Sequence, residues 1–322
     1  MDVLSDAIAA MRTGRPSSTR TDLRAPWGLR FDKVAGAGFH VVLQGSCWLL
    51  PPDGAPVALG PGDVVFLRSG RGHGLADDPA TPLTAFPPAH GGELRHDGPG
   101  ARTMLLCGAY QLDLARPHPL LRDLPDVVHL PARPGRNASL RGAVDLLGRE
   151  LDAAKPGAGA AVPALVDLLL LYILRAWFDD RADDGITTGW AGALSAPSIL
   201  AALDAVHSDL ARPWTVAELG ERAGLSRAAF ARRFTGLVGC PPLAYLTWCR
   251  MTTAARLLRD TDAPLGAVAD QVGYTSEFAF ARAFKREFGM PPGRFRHTYR
   301  ARSRPLSMSC TRNDCLNQGC GS

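Results

Sequence analysis

Lysine is almost missing from this chain: Lys33, Lys155 and Lys285 stand against 33 arginines. The skew, with plentiful Ala, Gly and Pro, fits GC-rich coding, and it leaves nearly every cation with a planar fork suited to phosphate and guanine. Cysteines number seven, odd and scattered, which argues against a disulfide framework. Met1–Arg12 carries Asp2 and Asp6 and has no long apolar core, so no secretory signal is expected. Long hydrophobic runs are lacking too. The best, Val162–Phe178, is interrupted by Pro163, Asp167 and Arg175, and reads as a buried or interface helix rather than a membrane span. A cytoplasmic protein with no membrane partner is expected.

What is present is a real core. The 322 residues are 46% hydrophobic and 21% charged, too long for one ordinary domain and suited to two. Charge is uneven: residues 197–322 hold 17 Lys+Arg against 10 Asp+Glu, whereas residues 1–196 hold 19 against 21. The positive surplus points the C-terminal part at a polyanion, and bulk charge does not tell nucleic acid from an acidic membrane.

From Trp27 to about Leu130 the pattern is β-rich. Phe39–Leu43 ends at the turn Gln44-Gly45, Ser46–Leu50 resumes, and Val57–Leu59 runs into Gly60–Asp63 before Val64–Leu67. Short apolar runs punctuated by Gly and Pro predict an antiparallel sandwich or barrel. Met104–Cys107 and Tyr110–Leu112 would add two strands, with Pro79–Arg102 a loop between. Helices are expected over Ser139–Ala153 and Val162–Phe178, and a linker over Asp179–Ala196. After Pro197 the pattern is helical to about Arg300. Ala301–Ser322 is polar and unpatterned, a flexible tail.

The helical part repeats itself. Gly224 recurs as Gly273. After one inserted residue Phe230, Phe234, Gly239, Pro242 and Tyr245 recur as Phe280, Phe284, Gly289, Pro292 and Phe295, all at one offset. Each copy has a helix-turn-helix layout. Thr215 and Glu218 suit a capping box, Gly224 a left-handed turn, and Ser226 the cap of a second helix with Phe230 and Phe234 stacked inward. The second copy runs Pro264–Val272, Gly273, then Phe280, Phe284 and Phe288 as its buried stripe. Arg227, Ala228, Ala231 and Arg232 remain on the other faces of one helix, and Glu277, Phe278, Ala279, Arg282 and Lys285 on those of the other. A helix with a core stripe and an Arg-bearing opposite face is what a major groove accepts. Between the units, Pro242–Arg259 is long enough to hold them about one DNA turn, roughly 34 Å, apart.

The stretch from Trp214 to Arg296 resembles the DNA-binding domain of the AraC/XylS family. Val272–Arg296 ("VGYTSEFAFARAFKREFGMPPGRFR") matches its C-terminal signature, and Ala223–Pro242 ("AGLSRAAFARRFTGLVGCPP") its more variable unit. The resemblance implies base reading by Ala228, Ala231 and Arg232, and by Glu277, Phe278, Ala279 and Arg282. Alanine reaches only a thymine methyl, so Arg232 should dominate in the first unit. Phe278 departs from the small polar residue expected there; it contacts thymine methyls or packs inward. Glu277 accepts from a cytosine amine or sits at a dipole-favoured helix start.

Gly62–His73 ("GDVVFLRSGRGH") resembles the second cupin motif, with Arg68 in its proline slot, and Gln44-Gly45 the end of the first. The slots for that motif's metal ligands fall near Asp32, Val34 and Gly38, which cannot build a site. No cofactor is expected. "APWGLRF", "LLCGAY", "HPLL" and "LPDVVHLPA" resemble the cupin-like sensor of one branch of AraC-type regulators. Candidate effector-pocket residues are His40, Trp48, Phe66, His73 and Tyr110, the alternative being that most are barrel core. Cys107, near the two histidines, is either a thiolate switch with a lowered pKa or a buried inert thiol. Cys310, Cys315 and Cys320 share a C-x4-C-x4-C spacing that is incomplete as a metal site.

The whole reads as an α+β chain. A cupin-like β-barrel sensor (residues 1–135) leads to connector and dimerisation helices (136–180) and a linker (181–196). An all-α domain with two helix-turn-helix units (197–300) and a Cys-containing tail (301–322) follow. The expected function is that of a homodimeric, sequence-specific transcription regulator, an activator working with RNA polymerase on double-stranded DNA and tuned by a small-molecule or redox signal. It is not expected to be an enzyme. The alternative is a metal-dependent cupin enzyme fused to a DNA-binding domain.

Overall fold

The computed structural model describes residues 2–34, 36–87, 92–112, 117–153 and 156–303. It opens with helix α1 (Val3–Met11), followed by strands β1 (Ser17–Arg24), β2 (Gly28–Phe31), β3 (Ala37–Gln44), β4 (Cys47–Leu50), β5 (Val57–Leu59), β6 (Val64–Leu67) and β7 (His73–Ala76). β8 (Thr84–Ala85), β9 (Gly92–His96) and β10 (Arg102–Tyr110) come next, then the short helix α2 (Pro119–Arg122) and β11 (Val127–Leu130). The rest is helical: α3 (Ala138–Ala153), α4 (Ala158–Asp183), α5 (Gly189–Ser195), α6 (Pro197–Ser208), α7 (Val216–Arg222), α8 (Arg227–Val238), α9 (Pro242–Asp260), α10 (Leu265–Gln271), α11 (Glu277–Phe288) and α12 (Pro292–Ser303).

The strands form two mixed sheets, one ordered β11-β6-β3-β10-β1-β9 and the other β5-β4-β7-β2-β8. Among the described residues no ladder joins them, so the expected barrel is an open pair of sheets. The reason lies in the turns: Gly45 (φ 75°) and Gly62 (φ 86°) carry the chain from β3 across to β4 and from β5 back to β6. A side chain at Gly45 would meet the Arg102 carbonyl at 2.4 Å, so only glycine makes that crossing. Inward residues of both sheets share one core: Leu23, Leu29, Val42, Leu49, Val65, Leu75 and Leu105 are all buried. Each such side chain contributes about 1.5–3 kcal/mol. Arg68, in the proline slot just after β6, holds α2 through the Leu121 carbonyl (3.2 Å) and the segment after it through the Asp126 carboxylate (2.7 Å).

Three boundaries differ from expectation. Residues 102–110 form one strand rather than two, with Leu112 in an isolated bridge to Arg12. The Pro79–Arg102 segment contributes β8 and β9, each pairing in parallel, with β2 and β1 respectively. Asp179–Ala196 is not an open linker: α4 continues to Asp183, and α5 buries Trp190 to 1% exposure. The Asp123 carboxylate accepts the Trp190 backbone N–H at 2.5 Å, supplying an acid at the α5 N-terminus that local sequence could not reveal.

α4, at 26 residues, is long and apolar enough by length and composition to cross a membrane. Here its Val166, Leu169, Leu170, Ile173, Leu174 and Phe178 are buried. It packs against α1, α3, α5, β1 and β11. Tyr110 donates its hydroxyl to the Val166 carbonyl (3.0 Å), and Arg12 pairs with Asp167, so the helix is bolted to the sandwich at two points.

The chain divides into two compact bodies. One takes in Met1–Asp209 and Trp214–Leu246, the other Leu210–Pro213 and Thr247 onward. The division falls inside α9 rather than at residue 196, because α5 and α6 pack against α8, and α1 packs against α6.

Candidate DNA interface and sensor pocket

In the first body α7 and α8 meet at a glycine turn. Thr215 accepts the Glu218 N–H (3.2 Å) while the Glu218 carboxylate accepts the Thr215 N–H (2.8 Å), closing the capping box that starts α7. Gly224 sits at φ 64°. Ser226 then caps α8 through the Ala229 N–H (3.4 Å). Phe230 and Phe234 are fully buried with their rings 5.4 Å apart. That phase turns Arg227, Ala228 and Arg232 outward, exposed, and leaves Ala231 half-buried at the edge of the face.

The second body repeats the device. Gly273 takes φ 77°, Ser276 caps α11 through the Ala279 N–H (3.4 Å), and Phe280 and Phe284 lie 5.7 Å apart in a core with Val268, Val272 and Phe295. Phe288 stacks on Phe284 at 4.5 Å and is half-buried. Glu277, Phe278, Ala279, Arg282 and Lys285 are all exposed. The Phe278 ring is 73% exposed, which excludes inward packing and leaves an aromatic plate on the outward face of α11. Among the described residues, Arg227, Arg232, Arg282 and Lys285 form no ion pair, so four cations face outward uncompensated.

The sandwich carries a cavity of about 500 Å³ at one end. Register builds its two walls. Thr19, Cys107 and His40 lie side by side across β1, β10 and β3, while Phe31 of β2 pairs with His73 of β7 on the facing sheet. The Phe31 ring stacks on His73 (4.9 Å, 3° between planes) and on Phe86 (4.5 Å). His40 and His73 approach Nε2 to Nε2 at 2.7 Å, and His73 Nδ1 lies 3.0 Å from the Arg71 carbonyl. A carbonyl only accepts, so His73 carries its proton on Nδ1, and His40 Nε2–H donates to His73 Nε2. Burial holds both imidazoles below their ordinary pKa of 6.5, His40 the more strongly, and both are neutral at pH 7. Among the described residues that line it, Asp32 is charged and none is Lys or Arg, so these residues offer no cation to an anionic ligand.

Of the five candidate pocket residues the structure brings two together, His40 and His73. Phe66 is fully buried in β6, Tyr110 is buried with its hydroxyl on α4, and Trp48 lies half-buried in β4; none of these lines the cavity. Ser17, Ser18, Thr19, Phe31 and Phe86 line it unanticipated. The inward phase of "GLRF" was the one sequence signal for Phe31. Cys107 does line the cavity, and of its two readings the buried thiol fits: burial, with Cys47 close by, pushes its pKa well up. Cys47 is likewise pushed up to about 12. The two histidines are neutral, so no positive charge stabilises a thiolate. Cys240 and Cys249 are half-buried and buried. Cys310, Cys315 and Cys320 lie outside the described residues, and among those described no group of three or more His, Cys, Asp or Glu is placed to hold a metal ion.

Comparison with known proteins places these observations. A cupin family profile matches residues 2–179, and a helix-turn-helix domain profile matches residues 219–298. An AraC-like transcription regulator of Streptomyces lividans is 35% identical over 92% of this chain and 98% of its own length. The regulator AlkR of Acinetobacter baylyi is 27% identical over 92% of this chain and 99% of its own. Among solved structures, the DNA-binding domain of AdpA in complex with a target DNA is 36% identical over 33% of this chain and 96% of that one, at a TM-score of 0.32.

Proposed function

Because the chain belongs to the family of AraC-like transcription regulators, we propose that α8 and α11 enter DNA major grooves and read an operator, with binding tuned by a signal received in the sheet sandwich. The observation that carries the reading is the paired phase of the two helices: phenylalanines inward, unpaired arginines outward, twice over. Arg232 and Arg282 are the side chains able to fork a guanine edge, and Arg227 and Lys285 the nearby phosphate contacts. Genome-wide mapping of bound DNA in cells tests the reading directly. A reproducible motif in two half-sites supports it; uniform occupancy without a motif removes sequence recognition.

The signal we assign to the cavity is an uncharged, largely apolar small molecule, since Phe31 and Phe86 add stacked rings to the lining, the imidazoles are neutral and none of the described lining residues is a cation. A redox signal at Cys107 is disfavoured by the same burial. The working form is a cytoplasmic homodimer acting with RNA polymerase, joined through α3 and α4, where Leu146 and Leu168 stay exposed at 45% and 37%. A monomer at micromolar concentration, with and without DNA, removes the dimer.

A further inference from the structure

Within the first body a buried chain of four polar side chains crosses from the sheet-bearing part to the first reading unit. The Leu120 N–H donates to His118 Nδ1 (3.1 Å), so the His118 proton sits on Nε2, which donates to the Tyr245 hydroxyl oxygen (3.1 Å). That oxygen then donates its own hydrogen to His207 Nε2 (2.8 Å), and His207 Nδ1–H donates to the Asp6 carboxylate (2.8 Å). Every donor therefore meets an acceptor in a single consistent direction. His118 and Tyr245 are fully buried, His207 is buried, and Asp6 on α1 stands at the outer end, partly in solvent. The Trp190 ring closes the cluster edge-on to His118 at 5.0 Å.

The duplication supplies an internal control. Tyr245 packs its ring against Phe234 of α8 at 5.8 Å and 64°; fifty residues on, Phe295 packs against Phe284 of α11 at 5.2 Å and 80°. The second unit makes the same aromatic contact with no hydroxyl, so the fold of a reading unit does not require one. The Tyr245 hydroxyl is what the first unit adds, and both of its histidine partners lie outside the α7–α8 pair.

We propose that the Tyr245 hydroxyl is a latch that holds the first reading unit to the sensor, so that a displacement of α1 or of the His118 segment reaches α8 through the Tyr245 ring. Tyr245 is a positioning residue here, not a base-reading one. The second unit, with phenylalanine at the matching position, has no such latch. No identity for the signal is assumed.

Full-length wild type and Tyr245→Phe should be compared by amide hydrogen exchange. The variant should exchange roughly tenfold faster in α1 and at residues 118–124, with α11 unchanged, because one cooperative contact has been released and the other body has not. Unchanged α1, or equal acceleration in α11, overturns the latch. Asp6→Asn, at a partly exposed position that keeps side-chain shape, should loosen the same segments, and the double variant should be no looser than the looser single; additive effects overturn a connected chain. Finally, affinity of full-length Tyr245→Phe for a mapped operator should differ from wild type by about threefold or more at unchanged salt slope. Indistinguishable affinity would leave the contact without a regulatory role and sink the proposal, while the exchange arms stand whether or not the chain reads DNA.

Discussion

Arg232 and Arg282 occupy matching positions on α8 and α11, each two residues beyond a buried phenylalanine, Phe230 or Phe280. That phase was legible from sequence, since two aromatics four apart fix which face is buried. Arg232→Ala and Arg282→Ala should each cost about 1–3 kcal/mol in operator binding and relax base preference locally. Titrations against the operator and a scrambled duplex check this; equal loss on both would reduce the arginines to phosphate contacts. The residues around the cavity were less legible. Ser17, Ser18 and Thr19 are polar and adjacent, so nothing in their own sequence marks them as strand β1; only pairing with Ala109, Gly108 and Cys107 across the sheet does.

At the scale of elements, the misread segment is α5. Its sequence, glycines beside an acidic cluster, looks like a linker, and its helix depends on a carboxylate 67 residues away. Asp123→Ala should therefore free α5, lowering stability by about 1–3 kcal/mol and shifting Trp190 emission to the red. Denaturant titration followed by fluorescence checks both, and an unshifted emission maximum counts against the anchor. Three histidines, two on strands and one capping α2, carry a second expectation. His40, His73 and His118 are held neutral by burial, below the ordinary 6.5. Above that value neither folded nor unfolded chain binds these protons, and the stability is fully present. As pH falls through it, the unfolded chain takes up protons that the folded one refuses, so stability drops by up to about 1.4 kcal/mol per pH unit for each histidine. Urea midpoints between about pH 7.5 and 5.5 should fall accordingly, and His40→Leu should flatten the slope. An unchanged slope in that variant means the His40 imidazole is protonated in place.

For the whole molecule, the proposed reading by α8 and α11 predicts a footprint on one face of the duplex across adjacent turns, and affinity that falls steeply with salt as several phosphates are engaged. Protection confined to a single groove would leave one unit idle. The repeat made the duplication itself readable, because a fixed offset in sequence reports a duplicated unit regardless of its surroundings. What it could not report is which body each unit joins, since that depends on long-range packing of α1, α5 and α6.

The division inside α9 bears on how this chain can be recombined. The Arg250 guanidinium takes the carbonyls of Leu210 (2.7 Å) and Arg212 (2.8 Å), so that short upstream loop belongs with the residues after Thr247. A hybrid meant to exchange only the second helix-turn-helix unit should be spliced near Leu246, and the donor must bring its own equivalent of residues 210–213. Splicing at residue 196, where the composition changes, would exchange both units together, part α5 from the α8 it packs against and part α1 from α6.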